Sequence, residues 1–296
     1  MTTHQHDLPP VISGCMKWGQ WGEKFNTGQY EKLIKECLQA GITTFDHADI
    51  YGGYTTEEEF GEVLRKEPAL RDRMQLITKC GIRMIAETRP AHHIKSYDTS
   101  AAHILQSAER SLKNLATDYL DILLIHRPDP LMHPDEIAAA FTTLKQQGKV
   151  LHFGVSNFEV SHVSLVHARF PVEYNQLEIS VAKTDAFFNG QLDQCIELGI
   201  RPMAWSPLGG GLLMSSEADL KGERILQAAG SIAAAHHCTP DQVLLAFLMK
   251  HPSRIIPVLG TTKIERLISG KEAALVNISR EEWFMLLEAA AGKQVP

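Results

Sequence analysis

Two patterns of apolar residues alternate along the chain. Short runs of β-branched and aliphatic residues predict buried strands, and longer segments with apolar residues at helical spacing predict amphipathic helices. The predicted strands are 11–16, 42–46, 74–81, 119–126, 150–155, 172–177, 200–205 and 254–259. The predicted helices are 28–40, 55–64, 100–115, 135–147, 160–169, 190–198, 224–236, 240–250, 264–274 and 279–291.

This alternation predicts parallel strands, because helical crossovers return each strand in the same direction. Eight such units with no proline-rich linker predict an α/β protein with a single (β/α)8 TIM barrel domain over residues 1–296. A doubly wound open sheet is the alternative, and its dinucleotide-binding form carries GxGxxG in the first βα turn. That turn, 14–19, lacks the pattern, which occurs nowhere in the chain, so the barrel is favoured.

Composition narrows the classes of function. The net charge of −6 is spread along 296 residues without a Lys/Arg block, which argues against nucleic acid and anionic membranes as partners. No apolar run is long enough to span a bilayer, and no signal peptide is recognised, so we expect a cytoplasmic protein. The five cysteines form no CxxC pair and are expected to be reduced thiols.

Fourteen histidines raise the question of a metal site. The adjacent pairs His92–His93 and His236–His237 cannot share a helix face, because neighbouring residues point in different directions. No HExxH motif or Cys/His ligand spacing is found. We therefore expect no metal.

Ionisable residues stand at the ends of three consecutive predicted strands. Asp46 ends the second strand with Tyr51 five residues later, Lys79 lies at the end of the third, and His126 ends the fourth. Each has an ordinary explanation alone: a helix cap or turn residue, a loop aromatic, a lysine reaching the barrel rim, a core histidine. In a barrel, however, the carboxyl ends of the strands converge on one mouth, where catalytic groups are placed.

Together these four residues predict a proton-transfer site. We expect Asp46 to hold Lys79 charged, and the ammonium to lower the pKa of Tyr51 from its usual value of about 10. Such a tyrosine can protonate a developing alkoxide while His126 hydrogen-bonds the substrate oxygen. A developing alkoxide needs a hydride donor, which no side chain supplies, so the chemistry implies a nicotinamide cofactor.

The pattern Asp46, Tyr51, Lys79, His126 resembles that of the aldo-keto reductase family, and the resemblance continues over almost the whole chain. It implies an NADPH-dependent reductase of small-molecule aldehydes or ketones that is a monomer or weak homo-oligomer, with NADH as the alternative cofactor. Within the family, the segments 47–54 and 263–266 are most similar to those of a bacterial subgroup.

The resemblance also implies a set of cofactor contacts along the barrel mouth. Ser156, Asn157 and Gln176 match the ligands of the nicotinamide carboxamide, and Trp205 matches the ring that stacks on it. The glycine-rich segment after Trp205 matches the pyrophosphate loop, and 257–266 matches the site of the adenosine 2′-phosphate, which favours NADPH. The complete predicted set is Gly14, Met16, Asp46, Ser156, Asn157, Gln176, Trp205, Ser206, Leu208, Gly209, Gly210, Gly260, Thr261, Thr262, Lys263 and Arg266.

Two positions depart from the family pattern. His47 follows Asp46 where many members carry threonine, and two roles are open for it, an effect on Lys79 and a contact with the cofactor ribose. Ser269–Gly270 replaces the acid and asparagine that often contact adenine. For the substrate pocket we predict Trp18 or Trp21, Tyr54 and parts of the long polar loop 83–99, since aromatic walls suit small carbonyl compounds.

Two other classes of function were weighed against the reductase. A cofactor-binding sensor or regulatory subunit is an alternative, since some relatives serve as ion-channel subunits, but all four catalytic groups are retained. A barrel hydrolase using a metal or paired carboxylates is disfavoured by the missing ligands and by the cofactor signature.

Overall fold

A computed structural model describes residues 8–214 and 219–295, so residues 1–7, 215–218 and 296 of the predicted domain lie outside the described chain. The eight principal strands are β1 Ile12–Gly14, β2 Thr44–Asp46, β3 Gln75–Cys80, β4 Leu120–Ile125, β5 Val150–Ser156, β6 Tyr174–Glu178, β7 Arg201–Trp205 and β8 Ile256–Leu259. Each pairs in parallel with the next along the chain, and β8 pairs with β1. The predicted (β/α)8 barrel is confirmed.

Helices follow the strands and surround the barrel. They are α1 Thr27–Gln39, α2 Thr56–Lys66, α3 Ala101–Asn114, α4 Pro134–Gln146, α5 Val160–His167, α6 Gln191–Leu198, α7 Leu220–His236, α8 Pro240–Met249, α9 Ile264–Glu272 and α10 Arg280–Ala291. Local sequence explains several of their ends. Asn26 and Gln29 form a capping box at the start of α1, and Ser279 and Glu282 form the predicted one at α10. Gly41, with φ of 71°, follows α1 in the left-handed region.

The strand register places the predicted catalytic residues inside the barrel mouth. Gly14 is opposite Asp46, and Asp46 is opposite Ile77. Ile77 belongs to the cluster that fills the barrel interior. Because side chains alternate along a strand, Lys79 points to the same side as Ile77, one layer nearer the mouth. Asp46 and Lys79 therefore meet above the apolar interior.

The interior below the site is a small, mainly apolar layer. It is formed by Ile12, Ile77, Ile122, Leu124, Tyr174, Met203, Ile256 and Val258. Burying each large side chain of this kind stabilises a fold by about 1.5–3 kcal/mol. The charged groups above therefore lie on a closely packed layer with a low dielectric constant.

The long segment after β3 contains regular structure that its polar sequence did not predict. Ile82–Arg83 pairs in antiparallel fashion with Ser96–Tyr97, forming a short hairpin beside the mouth. We call residues 82–99 the mouth loop. Within the described ranges, no helix is long and apolar enough to cross a membrane.

Candidate active site

Lys79 is the centre of the site. Its side chain is 1% exposed, and its ammonium donates to Asp46 Oδ2 at 2.7 Å and to the His47 carbonyl oxygen at 2.7 Å. It also donates to the Tyr51 hydroxyl oxygen at 3.2 Å. Burial lowers the pKa of Lys79, but the carboxylate of Asp46 and the phenol of Tyr51 outweigh it and raise that pKa above its usual value. Lys79 is therefore a cation with all three N–H donors engaged.

Asp46 is held from two sides. Oδ2 accepts from Lys79, and the Gln176 side-chain amide donates to Oδ1 at 2.9 Å. The sequence prediction gave Gln176 only a cofactor contact and missed this role. No local pattern in the sequence indicates this contact, because Asp46 and Gln176 are 130 residues apart in the chain and meet only across the barrel. Gln176 fixes the rotamer of Asp46 and thereby the position of the Lys79 ammonium.

The segment after β2 carries Tyr51 over the mouth. His47 N–H donates to the Ile77 carbonyl and Asp49 N–H to the Lys79 carbonyl, so the strand pairing continues beyond Asp46. Tyr51 then begins a helical turn that is interrupted at Gly52, whose φ is 62°. A Cβ at Gly52 would lie 2.5 Å from Thr56 Oγ1, so only glycine fits there. The glycine allows the phenol to turn back toward Lys79.

The predicted pKa shift of Tyr51 is wrong in sign. Burial raises the pKa of Tyr51 above its usual value, and the Lys79 ammonium, which favours the phenolate, offsets this only in part. The charge of Asp46 works against Lys79 here. The sequence indicated the cation but not the depth of burial. The phenol is thus held protonated at neutral pH, the form that a proton donor requires.

His126 faces Tyr51 at the mouth. The two ring centroids are 6.2 Å apart and the rings are nearly perpendicular, at 80°. Burial lowers the pKa of His126 well below its usual range, and the positive charges of Lys79, Arg127 and Lys95 lower it further. The imidazole is therefore neutral, with one N–H donor. Its buried Nδ1 has no hydrogen-bond partner in the described structure.

The residues predicted to bind the carboxamide form one connected group. Trp205 Nε1 donates to Asn157 Oδ1 at 2.9 Å, and Asn157 Nδ2 donates to Ser156 Oγ at 2.8 Å. Ser156 Oγ donates to the Gln176 carbonyl at 3.0 Å. The Arg127 guanidinium lies 5.7 Å from the centroid of the Trp205 ring, a neighbour that the sequence did not indicate. The structure thus brings these residues together beside Lys79.

Glycines lie along the backbone at the barrel mouth. Gly209, Gly210 and Gly211 follow β7 with positive φ values of 64°, 68° and 100°, next to Ser206 and Leu208. A Cβ on Gly14 would lie 3.3 Å from Val258 Cγ1 and 3.6 Å from Gly260 Cα, so Gly14 lies close against the end of the neighbouring strand β8. These positions fit the backbone approach that a dinucleotide needs.

The predicted 2′-phosphate site is a helix N-terminus. Thr261, Thr262 and Lys263 lead into α9, and Thr261 Oγ1 accepts from Lys263 N–H at 3.2 Å. Lys263 and Arg266 are exposed, as is Met16, which follows the neighbouring strand β1. Cationic side chains with helix N–H groups fit a phosphate well. The described residues at this helix N-terminus thus fit the phosphate group of such a cofactor.

The Ser269–Gly270 departure has a packing explanation. A Cβ on Gly270 would lie 2.3 Å from Leu259 Cδ1, so the glycine lets α9 lie against β8. Ser269 donates to Asp241 Oδ2 at 3.2 Å, which turns its hydroxyl toward α8. Neither residue supplies the side chain that often contacts adenine in the family.

Two of the three predicted pocket aromatics do not face the mouth. Trp18 is fully buried, and its ring contacts Phe25, Tyr30, Phe45 and Phe60 in the layer between the barrel and its helices. Because these aromatic contacts bury Trp18, its side chain cannot line the pocket, and its assignment to the pocket is wrong.

The second correction concerns Tyr54. Its side chain is 7% exposed, and its hydroxyl accepts from Met84 N–H at 2.8 Å and donates to the Ile82 carbonyl at 3.3 Å. Tyr54 thus ties the catalytic segment to the mouth loop and presents no hydroxyl to a substrate. Trp21 is 42% exposed, with its ring centroid 6.1 Å from that of Tyr51, as a pocket wall requires.

His47 is fully buried behind the site. Its ring packs edge-on against Phe60, with centroids 4.6 Å apart, and neither ring nitrogen has a hydrogen-bond partner in the described structure. Burial lowers the pKa of His47 to about 3, and the charge of Lys79 contributes. A contact with cofactor ribose is thus excluded. The residue acts on Lys79 through its carbonyl oxygen.

Replacing His47 with leucine is expected to reduce the fall in the free energy of unfolding as the pH drops below about 6.5. The unfolded chain takes up a proton at His47 below its ordinary pKa of 6.5, whereas the folded protein does not until about pH 3. Between these values the residue destabilises the fold, by at most about 1.4 kcal/mol per pH unit. Urea unfolding at several pH values measures the slope. His93→Gln, at an exposed position, is the control, and an unchanged slope in His47→Leu would contradict the expectation.

Comparison with known proteins agrees with this geometry. A model of the aldo/keto reductase family matches residues 10–291. The chain therefore belongs to the aldo/keto reductase family and is an oxidoreductase. No group of three or more His, Cys, Asp or Glu among residues 8–214 and 219–295 is arranged to hold a metal ion.

The chain is also similar over nearly its whole length to individual members of this family. It is 45% identical to the oxidoreductase YdhF of Escherichia coli (strain K12), over 96% of this chain and 94% of that one. It is 41% identical to a 6-dehydroglucose reductase of Agrobacterium fabrum, over 98% of this chain and 96% of the relative. Among solved structures, an aldo-keto reductase from Klebsiella pneumoniae in complex with NADPH aligns with a TM-score of 0.75, at 25% identity over 94% of this chain and 90% of that one.

Proposed function

We propose that the protein is an NADPH-dependent reductase that converts an aldehyde or ketone to an alcohol, with Tyr51 as the general acid. The observation that carries this proposal is the Lys79 ammonium, which contacts both Asp46 and the Tyr51 hydroxyl within the barrel mouth. A buried cation beside a protonated phenol is a means of delivering a proton and stabilising the phenolate left behind.

The residues divide the chemistry among them. When bound, the nicotinamide supplies the hydride. The neutral imidazole of His126 donates a hydrogen bond to the carbonyl oxygen and orients it. Tyr51 transfers its phenolic proton to that oxygen as negative charge develops there. The Lys79 ammonium, 3.2 Å away, stabilises the resulting phenolate until a proton from solvent restores the phenol.

The surroundings of the proposed pocket favour a small, polar carbonyl compound. Trp21 offers an aromatic wall, and Arg127 next to His126 offers N–H donors at the mouth. A hydroxylated aldehyde can use both, since sugars pack their C–H faces on aromatic rings and hydrogen-bond through their hydroxyls. The name of the 6-dehydroglucose reductase relative supports the same class.

A spectrophotometric screen of cofactor oxidation tests the proposal. The panel should include simple aldehydes, ketones, α-dicarbonyls and sugar aldehydes, each with NADPH and with NADH. We expect turnover with NADPH, fastest on hydroxylated aldehydes. An inert enzyme on the whole panel, copurifying with one stoichiometric protein partner, would instead support the regulatory subunit.

Arg266 is expected to set the preference for the phosphorylated cofactor. Charge-assisted hydrogen bonds to phosphate contribute about 1.5–3 kcal/mol, so Arg266→Ala should raise the KM for NADPH by roughly 10- to 100-fold. The KM for NADH should change little, because NADH lacks the 2′-phosphate. Arg280→Ala, on α10, is the control. Equal changes for both cofactors would refute the assignment.

A further inference from the structure

A cationic groove lies outside the barrel, between the mouth loop and α3. Its volume is about 420 Å³. Three arginines, two histidines and one acid dominate its lining: Arg83, Arg89, Arg110, His92, His103 and Asp98. None of these residues belongs to the proposed catalytic or cofactor-binding set. The groove is thus distinct from the catalytic and cofactor-binding groups, although it includes part of the loop 83–99 from which the sequence predicts substrate contacts.

The arginines are positioned but only partly neutralised. Arg110 Nη2 donates to Ser107 Oγ at 2.8 Å, and Arg89 Nη1 donates to the Thr88 carbonyl at 2.9 Å. Neither arginine has an ion-pair partner in the described part of the chain. Arg83 has a long contact, 3.9 Å, with Asp98. Each guanidinium carries five N–H donors, so most of them remain available to a ligand.

Two buried acids lie behind the groove, and they are candidates for the countercharge. Asp49 and Glu57 both interact electrostatically with Arg110, yet burial raises the pKa of each above its usual value, well above in the case of Asp49. Glu57 is already satisfied by the Thr78 hydroxyl, which donates at 2.6 Å. Burial disfavours the charged form of both carboxyls, which is the form that would offset the arginine charge.

The pKa of His103 is consistent with an excess of positive charge in the groove. Burial lowers its pKa, and although Asp98 opposes this, Arg110, Arg83 and His92 lower it further. The groove therefore disfavours an additional cation and favours an anion. Convergent guanidinium groups match the geometry of phosphate oxygens, which accept two parallel hydrogen bonds from one arginine.

We propose that this groove binds the phosphate group of a small phosphate ester, at a site distinct from the one proposed for NADPH. Arg83, Arg89 and Arg110 supply the charge and the N–H donors. Phosphate fits better than a carboxylate because three arginines approach from two different elements, the mouth loop and α3.

The groove is connected to the catalytic segment. The Arg89 guanidinium lies 4.4 Å from the centroid of the Tyr54 ring, and Thr88 Oγ1 donates to the Gly53 carbonyl at 2.7 Å. Gly53 and Tyr54 belong to the helical turn that begins at Tyr51. An anion that fixes Arg89 would therefore also restrain this segment.

Calorimetric titration of the intact protein, saturated with NADPH, tests the proposal. The probes are inorganic phosphate and glycerol 3-phosphate, with glycerol as the neutral control and sulfate as the competing anion. We expect saturable binding of both phosphates with one site per chain, and none of glycerol. Hydrogen exchange at 51–54 should slow when phosphate is added. Saturable binding of sulfate with the same affinity as glycerol 3-phosphate would show a general anion site and overturn the ester assignment.

Variants separate this site from the cofactor site. Arg83→Gln and Arg110→Gln should each weaken phosphate binding about tenfold or more, with circular dichroism and urea unfolding as checks of folding. Arg73→Gln, an exposed arginine elsewhere on the surface, should bind as the wild type does. The proposal fails if neither phosphate saturates, if both groove variants bind normally, or if only Arg266→Ala abolishes binding.

Discussion

Tyr51→Phe is expected to lower kcat by about 10²–10⁴-fold, the usual contribution of a positioned general acid. The substitution removes only the hydroxyl that accepts from Lys79 at 3.2 Å, and it keeps the ring beside Trp21 and His126. The carbonyl oxygen would then have to take its proton from water. Steady-state kinetics on the best substrate of the screen measures the loss.

Cofactor affinity is the control for this variant. The predicted NADPH contacts lie on other elements, so the dissociation constant of NADPH, measured by quenching of tryptophan fluorescence, should stay within a few fold of wild type. Trp21→Phe is a matched variant, since it alters a ring beside Tyr51 without touching the proton donor. A Tyr51→Phe enzyme with nearly normal kcat would eliminate Tyr51 as the acid.

Lys79→Met is expected to abolish measurable turnover and to destabilise the fold by about 3–5 kcal/mol, the usual effect of removing one partner of a buried ion pair. The methionine fills much the same space, so the loss of stability comes mainly from leaving the buried Asp46 carboxylate without its cation. That carboxylate is 3% exposed and would keep only the hydrogen bond from Gln176. Urea unfolding gives the stability, and NADPH oxidation gives the activity.

A double variant distinguishes the charge from the packing. Asp46→Asn with Lys79→Met removes both charges while the new amide oxygen can still accept from Gln176. It should recover at least half of the lost stability and none of the activity. If the double variant were as unstable as Lys79→Met alone, the cost would lie in packing, and the account of an unpaired carboxylate would be wrong.

Much of this fold follows from local sequence. The eight strands and the helices between them could be predicted because each apolar run and each helical stripe is a property of adjacent residues. The strand ends identified Asp46, Lys79 and His126 for the same reason, since β/α alternation places every strand's carboxyl end at one mouth. The capping box at Ser279 was equally visible because its two members, Ser279 and Glu282, are only three positions apart.

Burial was the quantity that the sequence could not supply. Trp18 and Trp21 are three residues apart in the same loop, yet one is enclosed by aromatic rings and the other is half-exposed. For the same reason the predicted direction of the Tyr51 pKa shift was wrong. The charge of Lys79 was visible in the sequence, but the burial that raises the pKa of Tyr51 was not. Tyr54 was misassigned because its hydroxyl contacts backbone groups nearly thirty residues away.

By itself, the sequence determined the barrel, the order of its units and the types of chemical group at its mouth, because these depend on residues close together in the chain. Only the tertiary structure decided how those groups act on one another. The bridge from Gln176 to Asp46, the neutral state of His126 and the enclosure of His47 all depend on residues brought together across the barrel. Hydrogen bonding and desolvation act over a few ångströms in space, regardless of separation along the chain.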